Sequence, residues 1–589
     1  MKARLLTAVA LCIFLLACGN KENPADESQV VAEDPGKVTP LVNEFLSGHL
    51  SKADTSKKFL LGNDSLASIP YVKQFYSARG YKAAWTDRGT LNTAGDSLLR
   101  IIRDAERFGL IPNDYHLLTL DSMLRTAHDS AHGDYNVNKL AFSDLLLTDA
   151  FFTFAVHVSV GRMANDSATT REWRVRLFQG NLIDLLNQSL SKNNFSSTFE
   201  SLEPQRLEYQ SVKWYMNAYR ARYAKAKWEH LPDRKQDSLG FYKGMRQRLV
   251  QYGDYDSTST DSDSLKLSNA LKKFQKRFFL EPDGKVGRNT ILALNMTPED
   301  WTRQLAANME RWRWEPAKFE KRHMIVNLPV FKMTVWEDDT IVMESRIVCG
   351  AVKTQTPELN SNMYQIVLYP YWNVPYSIAW KEILPHVKRD TGYLRRERYE
   401  VLDRNNQLVD PQTVNWKKYG KGNLPFKFRQ MTGDDNALGI MKFEFNNKWS
   451  VYMHDTNAKK YFRFETRAFS HGCMRLEKYM ELAHFLIRDD SVKMPKDTFD
   501  VWTTLGEQKK INFRKPLPIH VRYFTCDVDT EGNVAVHCDI YLRDQRMIDV
   551  LYGKPAGSKE NNAPVPAAAP ADQKKAVLPR KKKEPIAHT

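Results

Sequence analysis

At 589 residues the chain is too long for one hydrophobic core, and 42% apolar with 11% aromatic content excludes a wholly disordered one. The formal net charge of +16 suits nucleic acid, an anionic membrane or an anionic polymer, and does not choose among them. About +5 of it sits in the segment 553–589, where eight Lys/Arg face three acids in a Pro/Ala/Lys-rich run without apolar periodicity. That composition predicts a disordered basic tail over 551–589.

The chain opens with "MKARLLTAVALCIFLLACGN". Lys2 and Arg4 precede thirteen uncharged, mostly apolar residues, Leu5 to Ala17, too few to span a bilayer comfortably and suited to a secretory leader. "LLAC" at its end resembles a bacterial lipobox, which implies cleavage before Cys18 and lipidation of that cysteine. Acyl chains at about 0.8 kcal/mol per buried CH₂ would anchor it. Residues 1–18 are therefore expected to be a lipoprotein-type signal peptide and 19–60 a flexible tether, with the rest facing the periplasm from an envelope membrane. Export disfavours a nucleic-acid partner.

From 61 to 262 the periodicity is helical. Leu98, Ile101, Ile102, Ala105 and Phe108 share a face that stops at Gly109, and "KLAFSDLLLTDAFFTFAVHVSVG" is apolar nearly all round, as a buried helix would be. No catalytic spacing occurs there, so the segment reads as a scaffold. Residues 263–297 read as a helical hairpin about a Pro-Asp-Gly turn. Their Phe-Gln, Leu-x-Pro-Asp-Gly, Val-Gly and Thr-x-x-Ala-Leu-Asn pattern resembles the peptidoglycan-binding domain found beside wall hydrolases. A connecting helix is expected over 298–322.

After His323 the period shifts towards two, which predicts a β-rich domain over 323–507. A polar stretch at about 388–435 interrupts it as a lid-like insert. Over 508–550, "CDVDTEGNVAVHC" predicts a hairpin centred on Gly532, which would set Cys526 opposite Cys538 for a disulfide. Cys349 lies in a strand-like run and reads as core.

Cys473 has a different setting, in "FSHGCMRLEKYMELAHFLI". Leu476, Tyr479, Met480, Ala483, Leu486 and Ile487 recur at helical spacing. This predicts that Cys473 sits at a helix mouth, where unpaired N–H groups lower a thiol pKa and can hold an oxyanion. Gly472 allows the tight turn, and Arg475 adds positive charge. A cysteine nucleophile needs a base. On spacing either His454 or His471 could serve, and Tyr452 shares the face of His454 by strand alternation. His454, His471 and Cys473 are also zinc-competent types, but neither paired spacing nor a fourth ligand accompanies them, so no metal is expected.

"VYMHDT" followed by "RAFSHGCMRLE" resembles the active-site signature of the L,D-transpeptidases, with nineteen residues from His454 to Cys473. Upstream, "NLPVFKMTVWEDD", "PYWNVPYSIAWKEILP" and "NALGIMKFEF" resemble the large Gram-negative branch, which joins a helical scaffold, a peptidoglycan-binding domain and a catalytic domain with a capping subdomain. The resemblance implies a multidomain α+β architecture and no cofactor. It further implies that Cys473 attacks the donor stem between a diamino acid and terminal D-Ala, and that His454 carries the proton. Gly472 and Cys473 N–H groups would hold the oxyanion, and an acceptor amine would resolve the thioester into a cross-link. His471, Arg475 and Tyr452 are candidates for carbonyl polarisation and carboxylate binding, with Ser470, Trp372 and Asn373 lining the cleft. Carbapenems would acylate Cys473, and a stem-trimming carboxypeptidase is a candidate partner. Hydrolysis of the same thioester by an L,D-carboxypeptidase, or a non-catalytic wall-tethering lipoprotein, are the rival readings. Asp455 stands where many members of the family have glycine, which leaves open what orients His454.

Overall fold

The structure, a computed structural model, describes residues 29–553 apart from 62, 63, 130, 131, 164–177, 227, 279, 491–493 and 530. The expected signal segment with Cys12 and Cys18, and the expected tail beyond 553, lie outside the described residues. Two compact units emerge, one built from residues up to 106 with 110–159 and 178–203, the other from 107–109, 160–163 and 204 onward.

The first unit is helical, and it begins earlier than its composition suggests. Residues expected to be a flexible tether instead form helix α1 (Pro35–Lys52), where the Asp34 side chain accepts the Gly36 N–H and Pro35 occupies the first turn. Val38, Val42, Phe45, Leu46 and Leu50 bury one face. Helix α2 (Val137–Val160) is long and apolar enough to cross a membrane by length and composition, yet 83% of its most apolar stretch is buried. Its Asp144 carboxylate accepts the N–H groups of Ala84, Trp85 and Thr86 at 2.8–2.9 Å, satisfying a turn that would otherwise bury three orphan donors.

In the second unit, helices at Leu207–Tyr223, Ser238–Tyr252, Asp263–Arg277 and Arg288–Asn295 share one core with Pro298–Trp314. The scaffold expected over 61–262 is therefore split, with its last helices in the second unit. Gln275 explains the Phe-Gln and Pro-Asp-Gly spacing. Its amide nitrogen donates to Asp283 (2.9 Å), the Lys285 carbonyl (2.9 Å) and Thr290 (3.3 Å), and its oxygen accepts the Gly284 N–H (2.8 Å). Gly284 takes φ +70°, a left-handed conformation suited to glycine. Pro298–Trp314 is no mere connector, being buried from Gln304 to Trp314.

The rest of this unit is a barrel. Its strands are β1 (Arg322–Asn327), β2 (Lys332–Glu337), β3 (Thr340–Gly350), β4 (Leu359–Leu368), β5 (Met441–Phe445), β6 (Met453–His454), β7 (Ala468–Ser470), β8 (Met474–Leu476) and β9 (Lys509–Arg522). They run in the order β7-β3-β8-β6-β5-β4-β9-β1-β2, and a β2–β3 pairing closes the ring. The core includes Met324, Val326, Ile347, Met363, Phe443, Met453, Met474 and Ile519. Strand β9 was expected to lie in an extension after the catalytic domain. It pairs with both β4 and β1, and the barrel is incomplete without it.

The insert is a folded subdomain, wider than the polar stretch at 388–435 and with its own core of Ala379, Ile383, Leu384, Val387, Leu394, Val401, Trp416, Leu424 and Phe428. Its sheet pairs 427–430 with both 372–373 and 399–402. The hairpin after β9 exists, but Cys526 faces Val536, not Cys538. The loop closes between Asp529 and Asn533, which shifts the register by two residues from a turn centred on Gly532. Both thiols are free, so the expected disulfide is absent. Burial raises the Cys526 thiol well above its ordinary pKa and Cys538 to about 12.

Candidate active site

Two short strands place the chemistry. Parallel pairing of β6 and β8 sets Met453 beside Met474 and His454 beside Arg475. The two methionines are fully buried in the barrel core. Because strand side chains alternate, Tyr452, His454, Cys473 and Arg475 share the opposite face. Antiparallel β5 adds Lys442 beside His454.

Cys473 does not sit at a helix mouth. Three residues of strand β8 follow it, and the helix begins only at Tyr479, so no helix N-terminus assists the thiol. The apolar period that runs on from Leu476 is real, but Leu476 belongs to the barrel and the helical face to the next element. The turn is held by side chains instead. Ser470 Oγ accepts the Gly472 N–H at 3.1 Å and donates to the Cys473 carbonyl at 2.5 Å. Gly472 takes φ +123°, a conformation that disfavours any side chain. Since its N–H is engaged by Ser470, Gly472 is not a free oxyanion donor. The Cys473 N–H makes no hydrogen bond among the described residues.

The half-buried thiol lies beside Tyr452, which favours its ionised form. Trp372, on the insert, lies near the same phenol. Burial raises the Cys473 pKa, and the nearby Tyr452, Lys442 and Arg475 only partly offset it. His454 is buried, and burial first, then the Arg475 charge, pushes its pKa down to about 3. The resting pair is thus a neutral thiol and a neutral imidazole.

The Asp455 main-chain carbonyl accepts from His454 Nδ1, and the Leu438 carbonyl also faces the ring. The Asp455 carboxylate turns away, bonded to Lys459 and to the Ile440 N–H. A backbone carbonyl therefore orients His454, and with the Nδ1 proton given to it, Nε2 is left as the basic nitrogen. No hydrogen bond joins His454 to the thiol in this state.

Arg475 is the electrostatic anomaly. Its Nε and Nη1 are buried without a hydrogen-bond partner, while its guanidinium lies 5.5 Å from the Tyr461 ring centroid. Burial lowers its pKa. Lys442 pairs with Glu444 at 2.5 Å and lies 4.2 Å from the Tyr452 ring centroid. His471 is exposed and binds Glu382 of the insert at 2.6 Å, which removes it from the thiol. Asn373 is exposed, and no hydrogen bond ties its side chain to the other site residues. Among the described residues no cluster of three His, Cys, Asp or Glu side chains is arranged to hold a metal.

Three segments of the chain match known families. Residues 321–494 match the L,D-transpeptidase catalytic domain, 242–294 a peptidoglycan binding domain and 70–216 a scaffold domain. The segment that holds Cys473 and His454 is thus similar to an L,D-transpeptidase catalytic domain. A Haemophilus influenzae protein, whose L,D-transpeptidase name is itself an assignment, is 31% identical over 310 residues, covering 51% of this chain and 62% of that protein. Two solved structures also match across 46% of this chain. The Ldtfm–avibactam carbamoyl enzyme is covered over 84% at 11% identity with a TM-score of 0.17, and an Enterococcus faecium L,D-transpeptidase with a Cys-to-Ser substitution over 86% at 10% with 0.14.

Within the transpeptidase domain, sequence reasoning passed over Lys442 and Glu382. Lys442 was legible only as one polar residue of an alternating strand, "MKFEF". That β5 abuts β6, 12 residues on, is a matter of sheet register. Glu382 had no signal, because its partnership with His471 spans 89 residues.

Proposed function

We propose that this chain is a cell-wall L,D-transpeptidase that forms peptidoglycan cross-links between diamino acid residues of adjacent stems. The observation that carries the proposal is the single face holding a half-buried thiol, a buried neutral imidazole and a guanidinium with two buried nitrogens that lack a hydrogen-bond partner. Cys473 Sγ attacks the carbonyl that joins the diamino acid to the terminal D-Ala. As the S–C bond forms, the thiol proton passes to His454 Nε2, and the Cys473 N–H donates to the oxyanion. Collapse breaks the C–N bond, and the imidazolium returns the proton to the departing D-Ala amine. The side-chain amine of a second stem then attacks the thioester and releases Cys473 as thiol. Arg475 receives the donor carboxylate, which supplies the anion its buried nitrogens lack.

A peptidoglycan-binding domain in the same chain supports a wall substrate. The lipobox-like Cys18 supports an envelope anchor facing the periplasm. The test uses the protein lacking residues 1–18, incubated with disaccharide-tetrapeptide, beside Cys473→Ala. A dimer joined through two diamino residues, absent with Cys473→Ala, is the expected product. Tripeptide alone would reassign the enzyme as a carboxypeptidase. Unchanged tetrapeptide with both proteins would leave a wall-tethering role.

A further inference from the structure

The catalytic turn rests on a buried hydroxyl outside the transpeptidase signature. Thr356, fully buried, lies in the connection after β3, more than a hundred residues before Cys473. Its Oγ1 accepts the Gly350 N–H at 2.9 Å and donates to the Gly472 carbonyl at 2.8 Å. A hydroxyl has one proton, and Gly350 supplies its own, so the proton of Thr356 is committed to Gly472. The surrounding backbone is equally fixed. Thr354 Oγ1 and the Ala351 N–H both donate to the Ser470 carbonyl, at 2.9 and 2.8 Å. Tyr541 donates to the Gly350 carbonyl at 2.6 Å, and Arg543 Nη2 to the Thr356 carbonyl at 3.2 Å. A Cβ on Gly350 would stand 2.1 Å from the Thr354 oxygen, so the connection packs too closely for any other residue there.

The Gly472 carbonyl and the Cys473 N–H belong to one planar trans peptide, so they point in opposite directions. Turning the carbonyl inward onto Thr356 turns the N–H outward, away from the packed 350–356 connection. That N–H is the one left without an acceptor once Ser470 has taken Gly472. A hydrogen bond to the carbonyl also polarises the same peptide and strengthens its N–H as a donor. We propose that Thr356 is a positioning residue whose hydroxyl, acting through the Gly472 carbonyl, aims and strengthens the Cys473 N–H as the oxyanion donor. The inference rests on the acyl-transfer reading above.

The test separates chemistry that needs an oxyanion from chemistry that does not. D-Ala release from disaccharide-tetrapeptide passes through a tetrahedral oxyanion, whereas alkylation of Cys473 by iodoacetamide does not. Both rates are measured for the wild type, Thr356→Val and Thr356→Ser, with thermal unfolding of each. Thr356→Val is expected to lose about a hundredfold in kcat/KM for D-Ala release. Its alkylation rate and pH profile should stay at the wild-type level, and Thr356→Ser should restore release. Equal losses in release and alkylation would overturn the proposal, because Thr356 would then be acting on the thiol or the fold. Undiminished release by a folded Thr356→Val would overturn it as well. If Thr356→Val does not fold, a folded Thr356→Ser that loses release a hundredfold overturns it, and one that keeps release supports it. No D-Ala release by the wild type would instead remove the acyl-transfer reading and this inference with it.

Discussion

Cys349 and Cys473 belong to the same barrel and differ in every respect that governs thiol chemistry. Cys349, in β3, is fully buried, and burial lifts its pKa to about 12, which the Tyr541 hydroxyl at 3.4 Å only partly offsets. Cys473 is half-buried on the opposite side of a strand pair, with Tyr452, Lys442 and Arg475 arrayed against the penalty of its own burial. One is a small hydrophobe filling a core position. The other follows a positive-φ position open only to glycine and sits beside a guanidinium with two buried nitrogens lacking a hydrogen-bond partner, a pattern that belongs to function and not to packing.

The largest break in that comparison comes from removing each sulfur. Cys473→Ala should lower D-Ala release by about 10⁴-fold or more, while Cys349→Ala should keep most of the activity and lower the unfolding temperature. Equal activity losses would remove the distinction. Next, His454→Gln should lower kcat/KM by about 10²–10⁴-fold. It should also blunt acid unfolding. The charged imidazolium is disfavoured in the fold, so the stability contributed by neutral His454 is fully present above about 6.5 and is lost as pH falls towards about 3. Melting curves from pH 7 to 4 should therefore fall less steeply for the variant.

Arg475→Met has a smaller effect, divided in sign. Losing a charged hydrogen bond to the donor carboxylate should raise KM roughly ten- to a hundredfold with kcat less affected. Removing a desolvated cation whose Nε and Nη1 lack a hydrogen-bond partner should leave the unfolding temperature unchanged or higher. A lower unfolding temperature would mean that Arg475 supports the fold. The smallest expected effect is none at all. Adding dithiothreitol should not shift the unfolding temperature, because Cys526 and Cys538 are already free. A drop would restore the disulfide.

What the sequence made legible was local. Cys473, His454 and Tyr452 announce themselves by residue type and strand alternation, and the structure puts them on one face. The Gln275 turn was likewise visible in its motif. The helix at 35–52 was there to be read from Asp34, Pro35 and the spacing of Val38, Val42 and Leu46, but polar neighbours and Pro40 masked it. The helix-mouth placement of Cys473 failed because a three-residue strand carries too little periodicity to interrupt a helical pattern. The β9 pairing, the Glu382–His471 contact and the Thr356–Gly472 bond depend on register between distant segments, and no local pattern encodes them.

The bond between Glu382 and His471 brings the insert to the residue two places before Cys473. Main-chain pairing of an added strand is indifferent to sequence, whereas contacts made by side chains discriminate between ligands. An insert that meets the catalytic turn through side chains is placed to discriminate in that way. Selectivity for one peptide chemistry over another should then change by substitutions in residues 372–430 while the barrel stays as it is.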